Sequence, residues 1–351
     1  MEFNLVLLIF SISGLLISLV ITRLRLGYSL KRSILDVPNE RSSHSVPTPT
    51  GGGISIALVT LLGIAVTFYI GAVAFNEFIC VSTSLILIAS VGWVDDHIDL
   101  PFYWRFVFYS IAVAIVIVVF GGIGKISLGN VVFELSVTAS VIITFLGFVW
   151  LINLYNFMDG TDGLAALQAI TSSLFAFFLA ITQQSPGTSL LTLTVCVSSL
   201  GFLAWNWPPA RIFMGDVGSC VLGFMFALLI LLGEQQAIIP ASVWCILLSF
   251  FLCDATFTLC RRLLFREKWH QAHSSHAYQL LIKLGMTHQQ LALTFIAINV
   301  IFLWPMAYFA YMKPDWTLAI SMANILIMLL LWFAVQYQYY KKSFKKEASS
   351  A

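Results

Sequence analysis

Two amides and two acids close a hydrophobic run and open the next: Asn153, Asn156, Asp159 and Asp162, with Gly160 and Gly163 between and after the acids. The three-residue spacing predicts that Asn153, Asn156 and Asp159 form one slowly drifting polar stripe on a helix, while the glycines let the backbone turn. Oxygens gathered in this way are ligands for a hard cation. Magnesium takes carboxylate, carbonyl and water oxygens and commonly shares substrate phosphates. The competing reading is a pair of helix caps and an Asx turn beside glycine. Four such side chains at the edge of an apolar run argue against it, because polar groups at a membrane boundary are costly and tend to be functional.

Two further acidic clusters share this character. Asp95, Asp96 and Asp99 end another apolar run, and adjacent carboxylates repel unless one is protonated or a cation lies between them. On a helical end Asp95 and Asp99 stack at i, i+4 and Asp96 points elsewhere, so two different partners are expected. Asp216 sits between Gly215 and Gly218, after Pro208 and Pro209 have stopped the preceding helix. As a helix cap it would need no other role, but Arg211 and Phe213 lie on the same short loop, which suits an anionic nucleotide with a stackable base.

Asp254 lies inside another apolar run, with Arg261 and Arg262 on its side of the helix, and reads equally as a functional acid or as half of a structural ion pair. Beyond it, His270, His273 and His276 recur every three residues, a helical stripe of imidazoles. Zinc would need a carboxylate or thiolate in a set geometry, and phosphate suits the surrounding arginines and lysines better. Between the first two apolar runs a turn-rich loop carries Arg41 and His44 and ends in Gly51, Gly52 and Gly53. Its glycine N–H groups would cradle phosphate if they were free.

The elements that must position these residues follow from composition. Of 351 residues 60% are hydrophobic and 10% charged, and the mean hydropathy is +0.94, which excludes a soluble domain. At about 20 residues per crossing, about eleven helices are expected, near 3–21, 53–74, 78–94, 102–121, 137–155, 163–181, 188–206, 217–233, 238–259, 290–312 and 316–337. The fold class is therefore an all-α polytopic membrane protein, with one transmembrane domain over 1–340 and a basic tail over 341–351. The first helix has no basic leader and is expected to be retained. Strand formers flanking Gly129 and Asn130 predict a short outer β-hairpin.

An external N-terminus puts all of the 18 lysines and arginines except Lys125 and Lys313 on the inner side, together with all 6 histidines. That bias predicts an inward-facing site and a cytoplasmic C-terminus. The 6 cysteines lie in or beside apolar runs without a Cys-x-x-Cys pair and read as small hydrophobes. A net charge of +2 divides unevenly, and the basic inner loops suit lipid headgroups or a phosphorylated substrate. Nucleic acid is excluded as a partner, since no basic module stands outside the membrane.

Taken in register, Asp95-Asp96, the Asn153 to Gly163 segment, the Arg211 to Ser219 segment and the histidine loop resemble the polyprenyl-phosphate N-acetylhexosamine 1-phosphate transferase family over nearly the whole chain. The resemblance implies transfer of a sugar 1-phosphate from a UDP-amino sugar to undecaprenyl phosphate, releasing UMP, with Mg²⁺ as cofactor and Mn²⁺ as its substitute. It implies Asp216 and Asn156 at the metal and pyrophosphate, and Asp95 and Asp96 beside the lipid phosphate. Asp159 falls in the catalytic set, and Asn153, Asp162 and Arg211 among the substrate contacts. Phe213 would stack on uracil, and His273 and His276 would hold the sugar phosphate.

The nearer branch resembles the O-antigen initiators of the bacterial inner membrane, which accept N-acetylated and often 6-deoxy hexosamines. That branch often carries a basic residue where this chain has Ser274, and the muramoyl-pentapeptide branch carries three consecutive histidines that are absent here. The N-terminus would then be periplasmic. Undecaprenyl phosphate, a UDP-N-acetyl amino sugar, membrane lipids and a second copy of the chain in a homodimer are the expected partners. Direct attack on the donor's β-phosphorus is favoured over a covalent aspartyl intermediate, because a phosphomonoester is already mostly dianionic at pH 7. The alternative from another class is an ion-coupled secondary transporter, which predicts repeats and midplane binding groups that the chain lacks.

Overall fold

The computed structural model describes residues 3–38, 43–98, 100–267 and 273–350, with side chains to Phe344. Arg41, Asp99, Lys268 and His270 lie outside the described residues. The described residues are 77% helical, and among them there is no closed barrel. In order it runs α1 (Phe3–Arg32), β1 (Leu35–Asp36), β2 (Thr48–Pro49), α2 (Ile54–Tyr69), α3 (Phe75–Ile98) and α4 (Phe102–Phe120). The hairpin β3 (Lys125–Leu128) and β4 (Val131–Glu134) follows, and then α5 (Val137–Phe157), α6 (Leu164–Thr182), α7 (Pro186–Asn206) and α8 (Asp216–Gln235). The last third holds α9 (Ala241–Leu247), α10 (Ser249–Leu264), α11 (Ala277–Leu284), α12 (His288–Ile298), α13 (Trp304–Met312) and α14 (Thr317–Ser350).

Each expected apolar segment carries a helix, but the spans differ in kind. Among the described residues 9 spans are long and apolar enough to cross a membrane, and α9 with α10, bent by 81° at their junction, makes a tenth. The remaining apolar helix, α2, has 16 residues and so reaches only about 24 Å, short of a hydrocarbon core of about 30 Å. The membrane-capable count is thus nine to ten, and eleven is reached only by adding α2. The continuous run α12–α13 contains a wider turn at Asn299–Leu303 just before Pro305, whose missing N–H cannot continue the regular ladder.

The core sits on α7 and α8, whose apolar stretches are 83% and 89% buried, whereas that of α14 is 17% buried and presents leucine and phenylalanine outward. Without a hydrophobic force between helices in lipid, close approach comes from small residues. Gly92 of α3 is the case that matters for the site: a Cβ there would stand 2.7 Å from the main chain of Asp216 and Val217. Only glycine lets the acidic end of α3 lie against the start of α8.

Neighbouring helices alternate in direction, so two sets of ends form. The ends of α3, α5 and α7 meet the starts of α2, α6 and α8 around one cavity. At the other end the hairpin pairs Lys125 with Glu134 through Leu128 with Val131. It is tied to the bundle by the buried Glu234 of α8, whose carboxylate accepts N–H groups from Ser127 at 2.9 Å and Ala241 at 2.6 Å. Asn130 at the turn also bonds Asp315. Of the cysteines, Cys80, Cys196, Cys220 and Cys253 are buried as expected, and Cys245 and Cys260 are exposed.

Candidate active site

All three acidic segments converge. A cavity of about 750 Å³ is lined by Asp95 and Asp96 from α3, Asn156 from α5, Asp159 and Asp162 from the following turn, and Asp216 from α8. The turn from 158 to 163 exists because α5 stops at Phe157 and Gly163 takes φ +75°, a left-handed conformation that glycine adopts without strain. Gly215, also at φ +75°, plays the same part before α8, and a Cβ on it would meet the Asp96 carboxylate at 2.7 Å.

The two readings of Asp216 now separate. The side chain that caps α8 is that of Asp96, whose Oδ1 accepts the Asp216 N–H at 2.8 Å. Asp216 points its own carboxylate into the cavity, where Oδ1 accepts from Asn156 Nδ2 at 2.7 Å. Asn156 also donates to Ser219 Oγ at 3.2 Å. Arg105, at the start of α4, donates to Asp95 Oδ2 at 2.7 Å and lies 3.6 Å from Asp216 Oδ2. Asp95 is 8% exposed, and its other oxygen accepts the Leu100 N–H at 2.6 Å. Arg105 is the sole arginine or lysine lining the cavity among the described residues. One guanidinium against six carboxylates, the five above and Asp36, leaves the site strongly acidic.

The Asp159 carboxylate has no hydrogen bond or ion pair among the described residues, and burial beside Asp96 and Asp162 holds it well above the usual carboxylate range. Such a group gains from a cation. The hard oxygens of Asp216, Asp96 and Asp159 are the donors magnesium prefers, so the residues fit that ion. Among the described residues no three acids, histidines or cysteines enclose a metal by themselves. A cation here would draw its remaining ligands from water and substrate phosphate, as magnesium commonly does.

Asp162 acts as a knot between loops. Its Oδ2 accepts the Ala210 N–H at 3.0 Å, its Oδ1 lies 3.2 Å from His288 Nδ1, and His288 Nε2 reaches the Ser43 carbonyl at 3.0 Å. Phe213 lines the same cavity and a neighbouring one of about 550 Å³, with His44 packed edge-on against its ring at 4.8 Å.

Other expected residues stand elsewhere. Asn153 turns back to donate to the Val149 carbonyl at 2.8 Å, away from the cavity. Arg211 is exposed and lies 5.8 Å over the Trp205 ring. Neither His273 nor His276 lines the cavity. The described part of the imidazole stripe is broken because His276 is the extended residue capping α11, just before the helix begins, 4% exposed and 3.7 Å from Asp254. His273 is half-buried, and burial with His276, Arg262 and Arg261 nearby pushes its imidazole down to about 3, leaving it neutral and a poor holder of phosphate. Lys283 Nζ sits on Ser274, 2.7 Å from its hydroxyl, so a cation is supplied at that position from α11.

The glycine cradle is also corrected. The N–H groups of Gly52 and Gly53 are taken by the carbonyls of Phe213 and Met214 at 2.9 and 2.8 Å, which fastens the loop to the Phe213 segment instead of offering it to a phosphate. Sequence reasoning missed Arg105, Gln279 and His288 as lining residues. Arg105 left a signal, a lone basic residue opening an apolar helix six residues after an acidic cluster. His288 left none, since its partners are 126 and 245 residues away in the chain.

Fold and site together define a multi-pass helical membrane enzyme whose acids and one arginine converge where helix ends meet. Residues 78–234 match glycosyl transferase family 4. The chain is 30% identical over 296 residues, 83% of its own length and 81% of the relative's, to a Bacillus subtilis protein named "Probable undecaprenyl-phosphate N-acetylglucosaminyl 1-phosphate transferase". It is 26% identical to a decaprenyl-phosphate N-acetylglucosaminephosphotransferase of Mycobacterium leprae, over 76% of this chain and 73% of that one. A phospho-N-acetylmuramoyl-pentapeptide-transferase of Streptococcus mutans is 26% identical over 63% of this chain and 72% of its own. The chain belongs to glycosyl transferase family 4, within the polyprenyl-phosphate N-acetylhexosamine 1-phosphate transferases, and is a glycosyl-1-phosphate transferase.

Proposed function

We propose that the chain transfers an N-acetylhexosamine 1-phosphate from a UDP-sugar to undecaprenyl phosphate, releasing UMP and leaving undecaprenyl-diphospho-sugar. The observation that carries this reading is the acid-rich cavity with one arginine at the helix ends, where an anionic donor and an anionic lipid must be brought together. A lipid phosphate oxygen attacks the donor's β-phosphorus, the new P–O bond forms, and the bridging oxygen leaves with UMP. The lipid phosphate is mostly dianionic at pH 7, since its second pKa is near 6, and needs little help from a base. Bound Mg²⁺, which Asp216 with Asn156, Asp96 and Asp159 would hold, supplies charge neutralisation at the pyrophosphate.

The residues do the rest by position. Arg105, at the mouth of the acid cluster, draws the lipid phosphate toward Asp95 and Asp96. Phe213, exposed to two adjoining cavities, offers a ring face for uracil. Asp162, fixed by Ala210 and His288, holds the donor side of the site.

The names of the relatives favour UDP-N-acetylglucosamine as donor over the 6-deoxy hexosamines, and an O-antigen or related surface glycan is the use of the product that the resemblance supports. The test is purified protein with undecaprenyl phosphate, magnesium and a panel of UDP-N-acetylhexosamines, with UMP release measured. Turnover with at least one of them is expected, and weak or no turnover with UDP-MurNAc-pentapeptide. Silence across the panel would overturn the reading.

The basic bias of the loops at the cavity end supports a cytoplasmic site in the bacterial inner membrane, with a periplasmic N-terminus, a cytoplasmic C-terminus and one catalytic domain over 1–340. In a background lacking the native cysteines, Lys125→Cys and Lys313→Cys should label with an impermeant thiol reagent from outside, and Ser274→Cys should not. The reverse pattern would invert the topology and remove the site from a cytosolic donor.

A further inference from the structure

Among the described residues, Asp254 is the one acid singled out in the sequence that lies outside the cavity, and it is 5% exposed. Its carboxylate has taken on a full set of donors. Oδ1 accepts the Ala277 N–H at 2.8 Å and the Thr258 hydroxyl at 3.1 Å, and Oδ2 accepts the Tyr278 N–H at 3.1 Å. These are the first N–H groups of α11, which an anion satisfies well. Thr258 in turn accepts from Trp332 Nε1 of α14 at 3.1 Å, so the carboxylate sits where α10, α11 and α14 meet.

The residue held there reaches the active site. Tyr278 is fully buried, its hydroxyl donates to the Phe157 carbonyl at 2.9 Å, and a Cβ on Gly160 would collide with that same hydroxyl. Phe157 and Gly160 flank the turn that presents Asp159. The next residue, Gln279, lines the cavity and accepts the His276 N–H at 3.3 Å.

We propose that Asp254 is a positioning residue for the transfer reaction: by clamping the start of α11 it presses the Tyr278 hydroxyl onto the turn that carries Asp159. This rests on the transferase reading above. A carboxylate is required because two N–H groups and one O–H converge on its two oxygens. Asparagine would turn an NH₂ toward one of those N–H groups, donor against donor, and release it. Displacing a reacting group by about 1 Å can cost on the order of a hundredfold in rate.

The test uses the purified full chain and three variants, Asp254→Asn, Tyr278→Phe and the pair combined. UMP release gives kcat and the donor KM, and hydrogen–deuterium exchange follows the peptides covering 157–164. Each single variant is expected to lower kcat by about tenfold to a hundredfold, with donor KM unchanged within about twofold. The double variant should be no slower than the slower single one, since both cut one relay. Exchange should quicken in 158–164 in all three.

If Asp254 serves only the local fold, exchange would change near 276–280 alone, Tyr278→Phe would turn over normally, and the losses would add. Any of these outcomes overturns the proposal. Should Asp254→Asn fail to fold, Tyr278→Phe decides alone, because it removes a single oxygen from a residue whose ring packing is unchanged. The exchange measurement judges the clamp whether or not UMP is released, so a failed relay is distinguishable from a failed transferase assignment.

Discussion

Two pairs of acids, one buried in the bundle and one half-buried against the cavity, have opposite surroundings. Glu234 near the hairpin and Asp254 at the start of α11 are each ringed by backbone N–H donors at 2.6 to 3.1 Å. Asp159 has no such donor among the described residues, and Asp216 has an amide and an arginine 3.6 Å away, with further carboxylates beside it. A buried charge that the chain itself completes belongs to the scaffold, because its desolvation is already offset. A cluster of acids left short of donors stores an electrostatic cost that only an outside cation or a proton can relieve. The contrast therefore separates acids that the fold completes, of which Asp254 bears on the site only through Tyr278, from acids left open to a ligand, without reference to any relative.

The sharpest way to break it is Asp216→Asn with magnesium controls. Asp96 already caps α8, so asparagine at 216 sacrifices no cap. We expect kcat for UMP release to fall at least about a hundredfold, the loss of a few kcal/mol of charge stabilisation, with the melting temperature little changed. Chelation with EDTA should abolish turnover and added Mg²⁺ restore it. Near-native UMP release from a folded Asp216→Asn protein would move Asp216 into the scaffold class.

Arg105→Gln comes next. It leaves Asp95 with the Leu100 N–H alone and takes away the guanidinium between Asp95 and Asp216. A rate loss of at least about tenfold is expected, with a raised KM for undecaprenyl phosphate. An unchanged lipid KM would confine Arg105 to holding Asp95. Glu234→Gln should do the reverse of both: stability should fall by about 1–3 kcal/mol, the cost of leaving a buried donor unsatisfied, seen as a lower thermal midpoint, while kcat well below that midpoint stays within about twofold. A catalytic defect from Glu234→Gln would erase the distinction between the two ends.

How much of this was readable beforehand follows the same physics. Apolar runs of membrane length locate the helices, and Asp95, Asp96, Asn156, Asp159, Asp162 and Asp216 announce themselves because acids and amides at lipid boundaries are costly. Direction is not written in hydrophobicity: the residues around Leu248 are apolar on both sides of the 81° bend between α9 and α10. Nor is partnership over long separations. Gly52 and Gly53 looked available until the carbonyls of Phe213 and Met214 claimed their N–H groups. The periodicity of His273 and His276 implied a helix that begins only at Ala277. Glu234 drew no notice because its partners lie on a hairpin and on α9, which only the folded chain brings to it.

Arg211 is the smallest test and the one aimed at the resemblance itself, which would make it a substrate contact. Its chemistry suits an anionic donor, but its place does not: the side chain is exposed, lines neither the main cavity nor its neighbour, and rests 5.8 Å over Trp205. Arg23 lies 5.1 Å over the same ring, so Trp205 keeps a cationic partner when one is removed. A cation–π contact at an exposed site is worth about 0.5–1 kcal/mol, and Arg211 shares that ring with Arg23. The backbone bond from the Arg211 N–H to the Trp205 carbonyl at 2.9 Å survives a side-chain change. Arg211→Ala should therefore leave kcat and the donor KM within about threefold of the parent. A KM for the UDP-sugar raised tenfold or more, with kcat kept, would mean that the loop swings the guanidinium onto the donor's phosphates. The ring of Phe213 and the side chain of Arg211 would then have to be counted as one donor-binding unit.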